Sequence, residues 1–270
     1  MVSGKRRKAG EFDLKTGDEL KAVLRHTTHV YHGGACCETD KVGFVTPENR
    51  PIEELVVDTT QGFIPLWDRD VILNWRFQEQ SLLRFAKPEA VKTYVRRLFG
   101  ETLIRWGDAV PVRFSETAEP WDFEIVVRAD DNCSSFGCTL ARAFFPDAGQ
   151  HELVLFPKMF EQEREEQVET FAHELGHVFG LRHFFAKVSE AGYASEIFGV
   201  HDERSIMNYG IHSTLTQTDI NDLTRLYQRA WSGALKKING TPIRLMRPFS
   251  HFRQKAELPP QFALVAQVAP

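Results

Sequence analysis

No apolar run in this chain approaches the roughly 20 residues that carry a helix across a bilayer, so no membrane span is expected. Nor does an apolar stretch follow the basic tetrad Lys5, Arg6, Arg7 and Lys8. Glu11, Asp13, Asp18 and Glu19 stand where the core of a secretory signal would lie, so no signal peptide is read; the tetrad is a solvated tail or a nuclear address. Charge of one sign is scarce as well. With 33 Lys and Arg against 37 Asp and Glu, the net charge of -4 is too small and of the wrong sign for a chain that grips phosphate backbones, which excludes nucleic acid as the main partner. Cysteine is limited to four residues. Cys36 and Cys37 are adjacent and can bridge only with strain, whereas Cys133 and Cys138 flank Ser134-Ser135-Phe136-Gly137 and can close a small loop. A disulfide there would place the chain in an oxidising compartment and free thiols in a reducing one, so the compartment stays open.

What is present is an ordinary globular mixture, 42% hydrophobic and 26% charged, enough for a sizeable core. Length alone suggests two average domains, but no repeat or composition break requires two folds. Residues 1–65 contain Gly33-Gly34, Pro47 and Pro51 with little periodicity and read as an N-terminal segment. From Val71 the pattern changes. Val71, Leu73, Trp75 and Phe77 alternate with Ile72, Asn74 and Arg76, which predicts a strand with one buried face. Pro88 opens a helix that runs through Val91, Val95, Leu98 and Trp106 to Gly107; strands are expected at 123–127, 139–145 and 153–156. A long helix is predicted from Phe160 to Gly180, with Val168, Phe171, Ala172, Leu175, Val178 and Phe179 as its apolar stripe. Thr216 and Asp219 form a capping box for a last helix, with Leu215 and Ile220 as its staple. Residues 233–270 hold Gly and Pro and read as an irregular C-terminal extension, leaving 66–232 as the central domain.

The chemistry concentrates in His173-Glu174-Leu175-Gly176-His177-Val178-Phe179-Gly180-Leu181-Arg182-His183. His173 and His177 are four apart on a helix, about 400° of rotation, so their imidazoles leave nearly the same face and can hold one metal ion. On a straight helix His183 would lie about 9 Å further along the axis than His177, far beyond a zinc bond of about 2.0–2.1 Å. The chain must turn back, and Gly180 is the residue that accepts the left-handed conformation such a turn needs. Three neutral imidazoles leave a fourth coordination position for water, the pattern of a catalytic rather than a structural zinc. Glu174 is not needed as a ligand and is placed to take the water's proton and later deliver it. A bare HExxH would be much weaker evidence than this extended spacing.

The string resembles the metzincin clan of zinc endopeptidases, whose motif HExxHxxGxxH is followed by a methionine turn. Ser205-Ile206-Met207-Asn208-Tyr209 looks like that turn. The resemblance implies an α/β (α+β) fold: a twisted mixed sheet over a long zinc-binding helix, and a smaller C-terminal subdomain carrying His183, the turn and the last helix. It also implies one catalytic zinc on His173, His177 and His183, Met207 as an apolar floor beneath the metal, and peptide or protein as substrate. Ala109-Val110-Pro111-Val112-Arg113-Phe114, Leu140-Ala141-Arg142-Ala143-Phe144-Phe145-Pro146, Leu215-Thr216 with Asp219, and Leu226-Tyr227 look most like matrixin catalytic domains, over roughly residues 66–230. By that likeness Leu140, Ala141, Arg142 and Ala143 form an edge strand that pairs with an extended substrate; an ordinary core strand is the other reading.

Three departures qualify the likeness. Arg142 stands where matrixins carry a histidine ligand of a second, structural zinc, so that zinc is not expected. Phe184, after the last ligand, matches none of the clan's usual residues. Tyr209 is more like the astacin and serralysin turn, where such a tyrosine approaches the metal or steadies the oxyanion; simple packing is the alternative. Near the N-terminus, His26, His29 and His32 precede Cys36 and Cys37. They read as a solvated segment, a separate metal site, or a switch that sets a cysteine on the zinc as matrixin pro-segments do. The sum is a zinc-dependent endopeptidase. The alternatives are a silent metzincin-fold binding protein, against which Glu174 argues, and a zinc hydrolase of a non-peptide substrate. The clan is mostly secreted, which with no visible signal leaves the location undecided; oligomeric state is not legible.

Overall fold

The computed structural model describes residues 35–37, 55–58, 62–134, 137–183, 195–198, 204–207 and 213–256. Among the described residues the strands are β1 (Ala35–Cys37), β2 (Leu55–Asp58), β3 (Ile64–Trp67), β4 (Ile72–Phe77), β5 (Arg113–Glu116), β6 (Phe123–Val127), β7 (Asn132–Ser134), β8 (Gly137–Arg142), β9 (His151–Leu155), β10 (Ser195–Phe198), β11 (Lys237–Ile238) and β12 (Thr241–Met246). The helices are α1 (Glu79–Leu82), α2 (Pro88–Trp106), α3 (Arg164–Val178), α4 (Gln217–Trp231) and α5 (Phe249–Ala256). No described helix is long and apolar enough to cross a membrane.

A seven-stranded mixed sheet carries the order β1-β8-β9-β6-β4-β5, with β7 also on β8. The pairs β1/β8, β9/β6, β6/β4 and β4/β5 are parallel, whereas β8/β9 and β7/β8 are antiparallel. The fold is therefore mixed α/β. Parallel neighbours need crossovers, and α2 supplies the one from β4 to β5. Phe99 on α2 joins the layers: its ring meets Trp75 of β4, Phe114 of β5 and Phe171 of α3 at centroid distances of 5.4, 5.0 and 5.4 Å. Burial of each such ring contributes about 1.5–3 kcal/mol, which ties α2 to both α3 and the sheet. Cys133 and Cys138 are bonded as a disulfide across the β7–β8 hairpin.

Two boundaries differ from expectation. α3 starts at Arg164 rather than Phe160, because Pro157–Glu161 forms a separate 3-10 turn and the Glu166 carboxylate caps the Glu163 N–H at 3.1 Å. Residues 237–256 of the expected C-terminal extension are not irregular. β11 and β12 form a ribbon, and β12 runs parallel to β3, pairing Ile243 with Ile64 and Met246 with Trp67. α5 then docks through Ser250, whose backbone N–H and hydroxyl both donate to the buried Asp122 carboxylate at 2.7 and 2.9 Å. β3 itself spans the expected break between residues 65 and 66. β2 pairs antiparallel with β10.

Candidate metal centre

α3 presents His173, Glu174 and His177 because its opposite stripe, Val168, Phe171, Ala172, Leu175 and Val178, is fully committed to the core. The helix then ends in a Schellman turn. Gly180 has φ of 91°, its N–H donates to the His177 carbonyl at 2.8 Å, and the Leu181 N–H donates to the Gly176 carbonyl at 2.9 Å. A β-carbon on Gly180 would also lie 3.0 Å from the Pro65 carbonyl oxygen. This reversal carries the buried Leu181-Arg182-His183 segment back beside the helix.

The three imidazoles meet. His183 Nε2 lies 2.9 Å from His173 Nε2 and 3.0 Å from His177 Nε2. His173 Nδ1 faces the Ile206 carbonyl oxygen at 2.7 Å, and His177 Nδ1 faces that of Leu181 at 2.7 Å. A carbonyl only accepts, so in both rings Nδ1 carries the proton and Nε2 presents its lone pair. His183 can donate to one of those lone pairs at most, whereas a single cation satisfies all three nitrogens. Ligand nitrogens around a tetrahedral zinc with bonds of 2.0–2.1 Å stand about 3.3 Å apart, so the rings need to spread by only a few tenths of an ångström. The donor set fits the metal. Glu174 is buried and follows His173, about 60° around the helix from His177, at the flank of the histidine face.

Besides the expected Met207, several residues that frame this centre were not expected to belong to it. Met207 is buried, and a β-carbon on Gly176 would overlap its sulfur, so the absence of a side chain at Gly176 lets the Met207 turn approach the helix. Asp219, recognised only as a helix cap, also reaches that turn. Its carboxylate accepts from the Ser205 hydroxyl at 2.5 Å and the Ile206 N–H at 3.1 Å, besides the Thr216 N–H and hydroxyl at 2.9 Å each. Burial pushes the Asp219 carboxyl up from its ordinary value, against the opposing pull of these donors. At the end of α3, Trp67 Nε1 donates to the Val178 carbonyl at 2.7 Å and the Tyr227 hydroxyl to that of Phe179 at 3.0 Å, so two rings cap carbonyls the helix leaves over. Burial raises the Tyr227 phenol, which keeps it a donor.

The expected substrate strand is β8. Ala141 and Ala143 are buried while Leu140 and Arg142 are half-buried, and the Arg142 guanidinium reaches Glu152 at 3.6 Å rather than the histidines. Its outer edge carries β1 in parallel as far as Ala141: Ala35 pairs with Cys138, Cys36 with Thr139 and Cys37 with Ala141. Tyr209, Phe184, His26, His29 and His32 lie outside the described residues.

No family model matches the chain. No curated protein matches it either. Among solved structures, one of myroilysin aligns with a TM-score of 0.43 at 14% identity, covering 64% of this chain and 98% of that one. A crystal structure of myroilysin aligns at 0.45 and 13% identity over 82% and 100% of the respective chains. High choriolytic enzyme 1, a hatching enzyme zinc-protease from the medaka fish Oryzias latipes, aligns at 0.35 and 14% identity over 60% and 94%.

Proposed function

We propose that the chain is a zinc-dependent endopeptidase. The observation that carries this reading is the convergence of the His173, His177 and His183 Nε2 atoms, two of them held as lone-pair donors by carbonyls on their Nδ1 atoms, on a helix that also bears Glu174. A zinc ion bound by the three imidazoles supplies Lewis acidity toward a carbonyl and toward water. Glu174 accepts the proton of the attacking water and delivers it to the departing amine, so that the peptide C–N bond breaks as the new C–O bond forms and no net proton is consumed by the residue. Gly180 sets the return of His183, and Met207 floors the histidines. Tyr209 donates a hydrogen bond to the negative charge that develops on the carbonyl oxygen. Leu140, Ala141, Arg142 and Ala143 offer an extended substrate the backbone groups of β8. The Cys133–Cys138 disulfide suits work in an oxidising compartment.

The test is incubation of the full chain with a mixed peptide library and, in parallel, with simple ester and acyl-amide substrates, before and after chelation and zinc re-addition. Cleavage of internal peptide bonds that is lost on chelation and restored by zinc supports the reading. Hydrolysis of the small substrates alone would assign the centre to non-peptide chemistry. Zinc binding with no hydrolysis would leave a binding protein.

A further inference from the structure

The hydrogen bonds around the Ser205–Met207 turn form a directed chain that ends on a histidine. Asp219 sits in the first turn of α4, only 2% exposed, and is the common acceptor for four donors: the Ser205 hydroxyl, the Ile206 N–H, and the Thr216 N–H and hydroxyl. The Ser205 oxygen in turn accepts the Met207 N–H at 3.2 Å. One carboxylate thus fixes three consecutive residues of the turn. The peptide unit between them carries the Ile206 carbonyl, and that oxygen is the partner of His173 Nδ1 at 2.7 Å. His177 takes its tautomer from the Leu181 carbonyl, which belongs to the helix's own terminal turn. The acceptor of His173 Nδ1 lies 33 residues away instead, on a turn that α4 must hold in place.

We propose that Asp219 is a positioning residue for His173, acting through the Ile206 carbonyl to fix that ring's tautomer and direction toward the metal. This rests on the reading of the three histidines as a metal centre. An imidazole free to choose its tautomer presents the Nε2 lone pair only part of the time, and one free to turn about its side-chain bonds loses direction. Removing a partner of this kind weakens metal binding by about 10- to 100-fold in sites where it has been tested by substitution. The capping role of Asp219 is separable from this one: a lost cap weakens α4, whereas a lost clamp on Ser205 and Ile206 changes the acceptor that His173 sees.

The experiment measures zinc affinity of the full chain by chelator competition, and the His173 tautomer by nitrogen-15 spectra of the metal-free protein, in wild type, Asp219→Ala, Asp219→Asn and Leu223→Ala. Leu223 is buried on the same helix and touches none of these bonds, so Leu223→Ala lowers stability without altering the clamp. Expected are a 10- to 100-fold loss of zinc affinity and mixed His173 tautomers in Asp219→Ala, with near-native values in Leu223→Ala. Asp219→Asn keeps the volume and one acceptor oxygen; it should fall between wild type and alanine, and it decides the matter if the alanine variant does not fold. The inference is overturned if folded Asp219 variants keep wild-type affinity and a single His173 tautomer, or if Leu223→Ala loses as much zinc affinity as they do. Wild type that binds no zinc would instead defeat the reading of the metal centre itself.

Discussion

The sulfur of Met207 rests over Gly176, in the space that a β-carbon on that residue would take. Two opposed effects follow for Gly176→Ala. Helix propensity favours alanine by about 1 kcal/mol, while overpacking a fitted contact costs about 1–3 kcal/mol. Met207 is buried in a turn tied down by Ser205 and Asp219, so it yields poorly and overpacking wins. Gly176→Ala should lower the melting temperature and weaken zinc binding. Gly100→Ala, in the interior of α2 with nothing near its would-be β-carbon, should raise stability by about 0.5–1 kcal/mol. Equal effects of the two substitutions in thermal melts would refute the contact argument.

On the proposed function, an extended peptide bound along β8 would compete with β1 for one edge of that strand. The register of β1 on β8 shifts between Cys36 and Cys37, so both positions are tested; a proline where the N–H donates deletes a ladder bond. Of Cys36→Pro and Cys37→Pro, at least one should therefore raise kcat/KM for a long extended substrate several-fold while zinc content stays unchanged. Turnover unaffected by either substitution would show that β1 does not contend with substrate.

Asp122 carries a pH signature. Burial pushes its carboxyl up from 3.8, against the Ser250 and Asn74 backbone donors, the Ser250 hydroxyl and the charge of His151. A raised acid binds more protons folded than unfolded, so its contribution to stability is present at low pH and is lost as pH rises through the folded value. Wild type should therefore gain stability relative to Asp122→Asn as the pH falls from about 7 to about 4.5, a window above the ordinary aspartate value. Asp147 responds in the opposite sense: burial raises it, but the His151 hydrogen bond and charge outweigh this and hold it low, so its effect falls below that window. Denaturant titrations of the two proteins at both pH values check the sign.

The centre was largely legible because its determinants are local. His173, Glu174 and His177 share one helix by spacing alone, and a glycine three residues after His177 announces the turn that returns His183. Thr216 and Asp219 likewise announced α4. What escaped was non-local. β12 pairs with β3 some 180 residues earlier, and in β12 exposed and half-buried residues alternate too weakly to mark a strand. The β1–β8 pairing has the same character, and it occupies the outer edge of β8 from Cys138 to Ala141. Gly176 drew no reading because the atom that requires it belongs to Met207, 31 positions away. Asp219 met a complete local explanation as a cap, which hid its second set of donors.

The central claim is that Glu174 moves the proton for a hydrolysis carried out at the three histidines. Wild type and Glu174→Gln, brought to equal zinc content, can be compared by the rate of internal peptide-bond cleavage in one peptide mixture. The account predicts a folded variant that holds as much zinc as wild type and cleaves about 10²- to 10⁴-fold more slowly. Equal rates in the two proteins would contradict it.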